Sequence, residues 1–510
     1  MAGDGLVTIR FSSIFSLSSS MASTIDIVQT KTRNRWWSLS VASIATLIVT
    51  ADTGQLSIAL PLIITEFNAD LTLASWIALA YALITASLYL PCGRLSDLVG
   101  VGRLFLAGFV LYGVSSVAAG SAQNTAQLLI FRALQAAGSA LIMANNFALV
   151  TALFPPEERG RAMGIAGGSI SAIGYTLGPV IGGLLTHSLG WRSNFFVSAV
   201  LAFVGCGVAK LLLPPESFHG STAKREPFDL TGALSFACSI SLLLFGLATA
   251  QKAGWQSLLV SIPLIAGLAM LAFFINWERR VSFPLLDLAL FRIPAFTLGN
   301  IARWISFVAM SVSILLMPFF LQLALGLDPL HAGFLVAPTP FAMALLAPLT
   351  GWMSERFIPE RLCAVGLSVT GAAFILLSFL SPTSTSLEII LYLALVGVGM
   401  GLFQTPNNNL LMTAVPRHRL GVGSAFLSIV RSVGYASGTT LAVTIVGYYL
   451  LQASDDTSLQ SFGGGAGMNF DMRTLAAFLR GFRSACLIVA IVSFCGAIVS
   501  LWPVSGKVNA

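Results

Sequence analysis

The sequence predicts an all-α polytopic membrane protein of fourteen transmembrane helices, built as two six-helix bundles with two helices inserted between them. Three observations predict it. Only 9% of the 510 residues are charged and 56% are hydrophobic, whereas soluble domains carry about 25% Asp, Glu, Lys and Arg. That composition excludes a water-soluble enzyme, a disordered chain, a nucleic-acid binder and a disulfide-stapled secreted domain. The second observation is a series of apolar runs near the length of about 20 residues that a bilayer-spanning helix needs. The third is an internal duplication, which relates the first six runs to the last six.

Taken in order, spans 1 to 6 lie near 37–63, 72–91, 103–121, 126–153, 161–187 and 193–213. Spans 7 and 8 lie near 229–250 and 256–276, following Phe228 and Gly254. Spans 9 to 14 lie near 295–323, 330–352, 362–380, 386–413, 420–450 and 482–502. The even number places both termini on one side. Basic residues decide which, because cytoplasmic loops carry the excess of Lys and Arg. With a cytoplasmic N-terminus, Lys31, Arg33, Arg35, Arg94, Arg103, Arg159, Arg161, Lys224, Arg225, Arg279, Arg280, Arg356, Arg361, Arg417 and Arg419 fall inside. The outer loops hold only Arg192, Lys252 and Arg473, with Arg480 and Arg483 at one outer helix end. Both ends are therefore expected in the cytoplasm, and the net charge of +7 belongs to inner loops.

The duplication is legible in motifs. Gly93-Arg-Leu-Ser-Asp97 followed by Arg103 matches Gly351-Trp-Met-Ser-Glu355 followed by Arg361. Ala144-Asn145-Asn146 matches Pro406-Asn407-Asn408, and Gly174-Tyr175-x-x-Gly178 matches Gly434-Tyr435-x-x-Gly438. The spacings agree to within a few residues. The expected layout is a tail at 1–35 with no assigned structure and a first bundle over 36–213. A linker with the inserted pair follows over 214–294, then a second bundle over 295–503 and a tail at 504–510. Parallel six-span repeats are a transporter architecture, with the substrate site between the halves near the midplane.

Four features carry chemistry. The loop Gly93-Arg94-Leu95-Ser96-Asp97 with Arg103, and its copy with Glu355 and Arg361, can latch helices together in one state of a rocking cycle. Asp52, alone among the 20 carboxylates, falls well inside an apolar run. A charge at the bilayer centre costs about 2.5–3.5 kcal/mol, so a carboxylate that can be charged or neutral there suits proton coupling. Arg132 in span 4 is expected to pair with it, since at about 1.5 Å per residue both fall in the outer half of the core. In span 5, Gly174-x-x-x-Gly178-Pro179-x-x-Gly182-Gly183 permits close helix approach and a kink.

Other candidates are less specific. Arg303 and Arg431 also lie within apolar runs and are open to either an anionic substrate or structural pairing with carbonyls. Gln55, Gln135, Asn145, Gln404 and Asn408, with Arg303, are the candidate cavity-lining residues. The six cysteines read as buried apolar thiols. The four scattered histidines suggest no metal site, and the glycine run 463–467 reads as a flexible outer connection. No Walker-type sequence occurs, so ATP is not the expected energy source; the reading of Asp52 points instead to a proton gradient, with no cofactor.

The motifs at Gly93–Arg103, Arg132–Gly138, Gly178-Pro179-x-x-Gly182-Gly183 and Asp52 before Ala59-Leu60-Pro61 carry a resemblance. So do 154–161 and Phe228-Asp229-Leu-Thr-Gly232. The chain resembles the major facilitator superfamily, and within it the fourteen-span drug:proton antiporter branch, from about residue 37 to 503. The resemblance implies a multi-pass cell-membrane exporter of drugs or other small organic molecules, driven by protons. It implies that the span 5 motif marks export and that Asp52 and Arg132 take part in proton coupling. A dedicated exporter of one metabolite, lipid or antibiotic would share these features. The expected partners are an organic substrate, protons and the bilayer, with no nucleic acid, in a monomer without enzymatic activity.

Overall fold

The structure, a computed structural model, describes residues 12–67, 71–220, 227–327, 329–452 and 472–502. It is all-helical among those residues. Thirteen of its helices are long and apolar enough to cross a membrane, and the remaining expected span falls on the 29-residue helix Leu71–Val99. Fourteen spans in order is the architecture the apolar runs predicted, including the inserted pair Leu230–Ala253 and Leu258–Glu278.

Span 1 belongs to a helix that starts at Ser12 and runs to Phe67, so the helix extends into the 1–35 segment, to which the sequence reading assigns no structure. The reason is local: no Gly or Pro interrupts the chain from Ser12 to Thr53, and those are the residues that stop helices. Span 3 is Val101–Gly120. Span 4 is Thr125–Met143 continued by Asn146–Leu153. Span 5 runs Pro156–Met163, a π-helical turn Gly164–Ser169, then Ile170–Leu189. Span 6 is Arg192–Leu212. In the second half, span 9 is Pro294–Phe319, and span 10 is Pro329–Val336 continued by Pro338–Arg356. Span 11 is Pro359–Leu377, span 12 is Ser386–Ala414, span 13 is Leu420–Leu451 and span 14 is Met472–Leu501.

Helix pairing follows the duplication. Span 1 packs on span 5 and span 9 on span 13. The two halves meet along two seams, span 2 against span 13 and span 5 against span 10. Glycines make the approaches close. A methyl added at Gly178 would lie 2.6 Å from the carbonyl oxygen of Ala51, and one at Gly182 would lie 2.7 Å from Cα of Gln55. At the repeated positions, a methyl at Gly438 would lie 2.5 Å from the carbonyl oxygen of Val308 in span 9.

Span 7 of the inserted pair lies against both span 2 and span 13. Trp76 stacks on Phe245, Thr440 Oγ1 donates to the Leu247 carbonyl at 3.1 Å, and Trp255 Nε1 donates to Thr444 Oγ1 at 2.9 Å. One seam is thus covered from outside. The other carries an apolar cleft of about 750 Å³ between span 5 (Ile173, Leu177) and span 10 (Phe334, Phe341).

Cysteines depart from expectation in part. Cys92, Cys363 and Cys486 are buried, but Cys238 and Cys495 are exposed. On the outside of a membrane bundle the solvent is itself apolar, so a thiol gains little by facing inward. The glycine run 463–467 lies outside the described residues.

Candidate functional site

The candidate site begins at an ion pair inside the first bundle. Asp52 and Arg132 are 3% and 1% exposed, and Arg132 Nη1 donates to Asp52 Oδ2 at 2.8 Å. Span 1 places the carboxylate and span 4 the guanidinium. A buried charge persists only when paired and hydrogen-bonded, and the surroundings supply that. Arg132 Nη1 also donates to Gln135 Oε1 at 2.6 Å, and Gln135 Nε2 donates to Ser116 Oγ at 2.8 Å and Asp52 Oδ1 at 3.4 Å. The Arg132 guanidinium lies over the Tyr81 ring, 4.3 Å from its centroid. Spans 1, 2, 3 and 4 all contribute to one polar knot in an apolar bundle.

The span 5 motif grips this same stretch of span 1. Gly174, Gly178 and Gly182 face Thr50, Ala51 and Gln55, which bracket Asp52, and Gly54 of span 1 faces Pro179 in return. The glycine motif and the carboxylate, far apart in sequence, form one assembly.

At the face rich in arginine, two carboxylates tie the halves together. Asp97 is buried, and its Oδ1 and Oδ2 accept backbone N–H bonds from Gly421 at 2.7 Å and Val422 at 3.2 Å. Glu355 Oε1 accepts from the backbone N–H of Arg161 at 2.9 Å. The first crosses from the span 2 end to the start of span 13, the second from the span 10 end to the start of span 5. These are matching positions of the two repeats. Unpaired N–H groups and the positive dipole end of a helix favour a carboxylate there. Around Asp97, Arg94 and Arg419 also favour its charge, yet burial outweighs them and pushes the carboxyl up to about 7. Gly93 lets the contact close: a methyl there would lie 2.6 Å from Ala425 Cβ.

The expected arginine partners of the latches are elsewhere. Arg103 and Arg361 are exposed and form no ion pair with Asp97 or Glu355 among the described residues. The carboxylates accept instead from backbone amides of the opposite half.

Two expected cavity residues are packed away. Gln55 is buried against span 6, accepting from Ser198 Oγ at 3.2 Å, and Asn145 is fully buried and donates to the Leu141 carbonyl of its own helix. Gln135 belongs to the Asp52 knot. Arg303 is buried, bonded to Asn408 Oδ1 and, through Nε, to the Leu427 carbonyl at 3.0 Å. Gln404 donates to Met310 Sδ at 3.7 Å. Gly183 is half-buried at the end of its motif. Sequence reasoning passed over Tyr81, Ser116 and three tyrosines between the halves, Tyr89, Tyr175 and Tyr435. For two of them a signal existed, because Tyr175 and Tyr435 occupy matching places in the duplication.

Comparison with known proteins now bears on this geometry. The family model described as Major Facilitator Superfamily matches residues 42–439. The chain belongs to that superfamily. It is 30% identical to the riboflavin transporter RibZ of Clostridioides difficile over 80% of this chain and 87% of that protein. It is 31% identical to the multidrug resistance protein Stp of Mycobacterium tuberculosis over 82% of this chain and 77% of that protein. Among solved structures, the human organic anion transporter MFSD10 superposes with a TM-score of 0.59 at 14% identity, over 92% of this chain and 98% of that one. That last likeness is one of fold. The protein is a multi-span membrane transporter of this superfamily, with relatives that include multidrug efflux proteins.

Proposed function

We propose that the protein exports small organic molecules from the cytoplasm across the cell membrane in exchange for protons, by alternating access. The observation that carries this reading is the buried Asp52–Arg132 pair in the grip of the span 5 glycine motif. A proton arriving at Asp52 neutralises one partner of the pair and removes the attraction that holds span 1 to span 4. Loss of the proton restores it. Because span 5 is interlocked with span 1 beside Asp52, that change is felt by a helix of the inter-half seam.

The arginine-rich face is the cytoplasmic one on the positive-inside argument. Both latches on that face are engaged, so this conformation is closed toward the cytoplasm. Opening it requires Asp97 and Glu355 to leave their helix ends. The multidrug relatives favour a broad range of substrates. The relative named for riboflavin favours the alternative, a dedicated exporter of one compound on the same machinery.

The test is efflux from proteoliposomes under an imposed pH gradient, over cationic, neutral and anionic compounds. Gradient-driven transport that Asp52→Asn lowers at least tenfold is expected. Transport indifferent to the gradient, or undiminished in Asp52→Asn, would sink proton antiport.

A further inference from the structure

The two arginines of the second bundle are held very differently. Arg303 is fully buried and committed, with Asn408 and the Leu427 carbonyl as partners and the Phe307 and Phe147 rings around it. Arg431 is half-buried and lies in span 13 near the midplane, roughly 16 Å along that helix from its first residue. Of its five N–H donors, the one bond it makes among the described residues is long, Nη2 to the Tyr89 hydroxyl at 3.4 Å. No carboxylate pairs with it among those residues. Tyr89, Tyr175 and Tyr435 are ionisable groups in its field, and Arg303 adds a second positive charge there.

The tyrosines come from both halves. Tyr89 is in span 2 and Tyr175 in span 5, while Tyr435 stands four residues beyond Arg431 on the same face of span 13. Tyr175 and Tyr435, matched by the duplication, meet through their side chains across the boundary between the halves. The Tyr435 hydroxyl also reaches Met310 Sδ at 3.3 Å.

We propose that this cluster is the substrate site and that it takes an organic anion bearing a flat aromatic ring, a carboxylate or a sulfonate. The proposal rests on the transporter reading above and names the substrate class for it. In the first bundle the positive charge is cancelled by Asp52. In the second, Arg303 and Arg431 pair with no acid among the described residues, and an unneutralised charge on a half-buried side chain near the midplane is unfavourable. A bound anion supplies the missing charge. The guanidinium fork matches a planar carboxylate or a sulfonate with two parallel bonds, and tyrosine rings and hydroxyls offer stacking and further donors to an aromatic body. A cation would meet like charge here, which gives the site its selectivity.

Three fluorescent probes that share the dansyl ring and differ in charge test this: dansylglycine (anion), dansyl amide (neutral) and dansylcadaverine (cation), titrated into the purified full-length protein. Dansylglycine is expected to bind at least tenfold more tightly than dansylcadaverine. Arg431→Gln should weaken dansylglycine at least tenfold and change dansyl amide less than twofold, with Arg431→Lys in between. A preference for the cation in the wild type, or dansylglycine binding unaltered in a monodisperse Arg431→Gln protein, overturns the proposal. The wild-type ranking needs no variant to fold. Uptake of the same probes into proteoliposomes separates the two readings. Gradient-driven movement of dansylcadaverine alone keeps the antiporter and removes the anion site. Arg431-dependent binding of dansylglycine, with no probe moved by the gradient, keeps the site and removes the antiporter.

Discussion

Asp52 and Arg132 stabilise the fold only as a pair. Removing one partner of a buried ion pair leaves an uncompensated charge and typically costs about 3–5 kcal/mol, whereas replacing both is far milder. Asp52→Asn is therefore expected to lower thermal stability more than the double substitution Asp52→Asn, Arg132→Gln. A double-mutant cycle on melting temperatures checks this, and additive effects would show the pair to be uncoupled. Asp97 gives a second prediction at this scale. Its carboxyl is pushed by burial from an ordinary 3.8 up to about 7 in the latched arrangement, so latching takes up a proton. This contribution to the closed state is fully present below about 3.8 and is lost as pH rises through about 7. Distances between labels on the two halves should report more of the closed state at low pH on that face. Asp97→Asn should flatten the dependence, and an unchanged profile would assign it to another group.

At the scale of elements, the contact of span 5 with span 1 decides how rigidly Asp52 is carried. Ala at Gly178 puts a methyl against the Ala51 backbone, 2.6 Å from its carbonyl oxygen, and over-packing of this kind costs about 1–3 kcal/mol. Gly178→Ala is expected to lose that much stability and most transport activity. Gly207→Ala is its control, since a methyl there meets nothing within 4 Å and Ala is the better helix former. Melting curves of the two variants check the contrast, and equal curves would mean that span 5 gives way freely. Span 7 is another element whose place explains its presence. It covers the span 2–span 13 seam, contacting one half through Trp76 and the other through Thr440, with Trp255 just beyond its end bonded to Thr444, while the span 5–span 10 seam keeps an apolar cleft.

Over the whole molecule, the two latches are related by the duplication: Asp97 holds the start of span 13 and Glu355 holds the start of span 5. Both must release together if the halves rock as units. Cysteines introduced at Asp97 and Val422, in a background with the six native cysteines replaced, should form a cross-link that abolishes transport, and reduction should return it to the level of the same variant before cross-linking, which already lacks the Asp97 carboxylate. Full transport by the cross-linked protein would show that this face does not open during the cycle.

Much of this protein was legible in its sequence, for physical reasons that act locally. Fourteen apolar runs report the bilayer, because a helix in lipid satisfies its own backbone hydrogen bonds and needs only length and apolarity. The scarcity of charge inside those runs singled out Asp52, Arg132, Arg303 and Arg431, since each is expensive where it stands. The motif spacing exposed the duplication. Partnership was another matter. That Asp97 and Glu355 bond to backbone amides of the opposite half rather than to Arg103 or Arg361 depends on where helix ends meet, which no side-chain pattern records. Gln55 and Asn145 are polar enough to line a cavity, but the rotation of their helices buries them. Arg303 and Arg431 read alike along the chain, and only packing distinguishes them. Helix carbonyls and Asn408 complete the first, and tyrosines from both halves leave the second with a charge to be met.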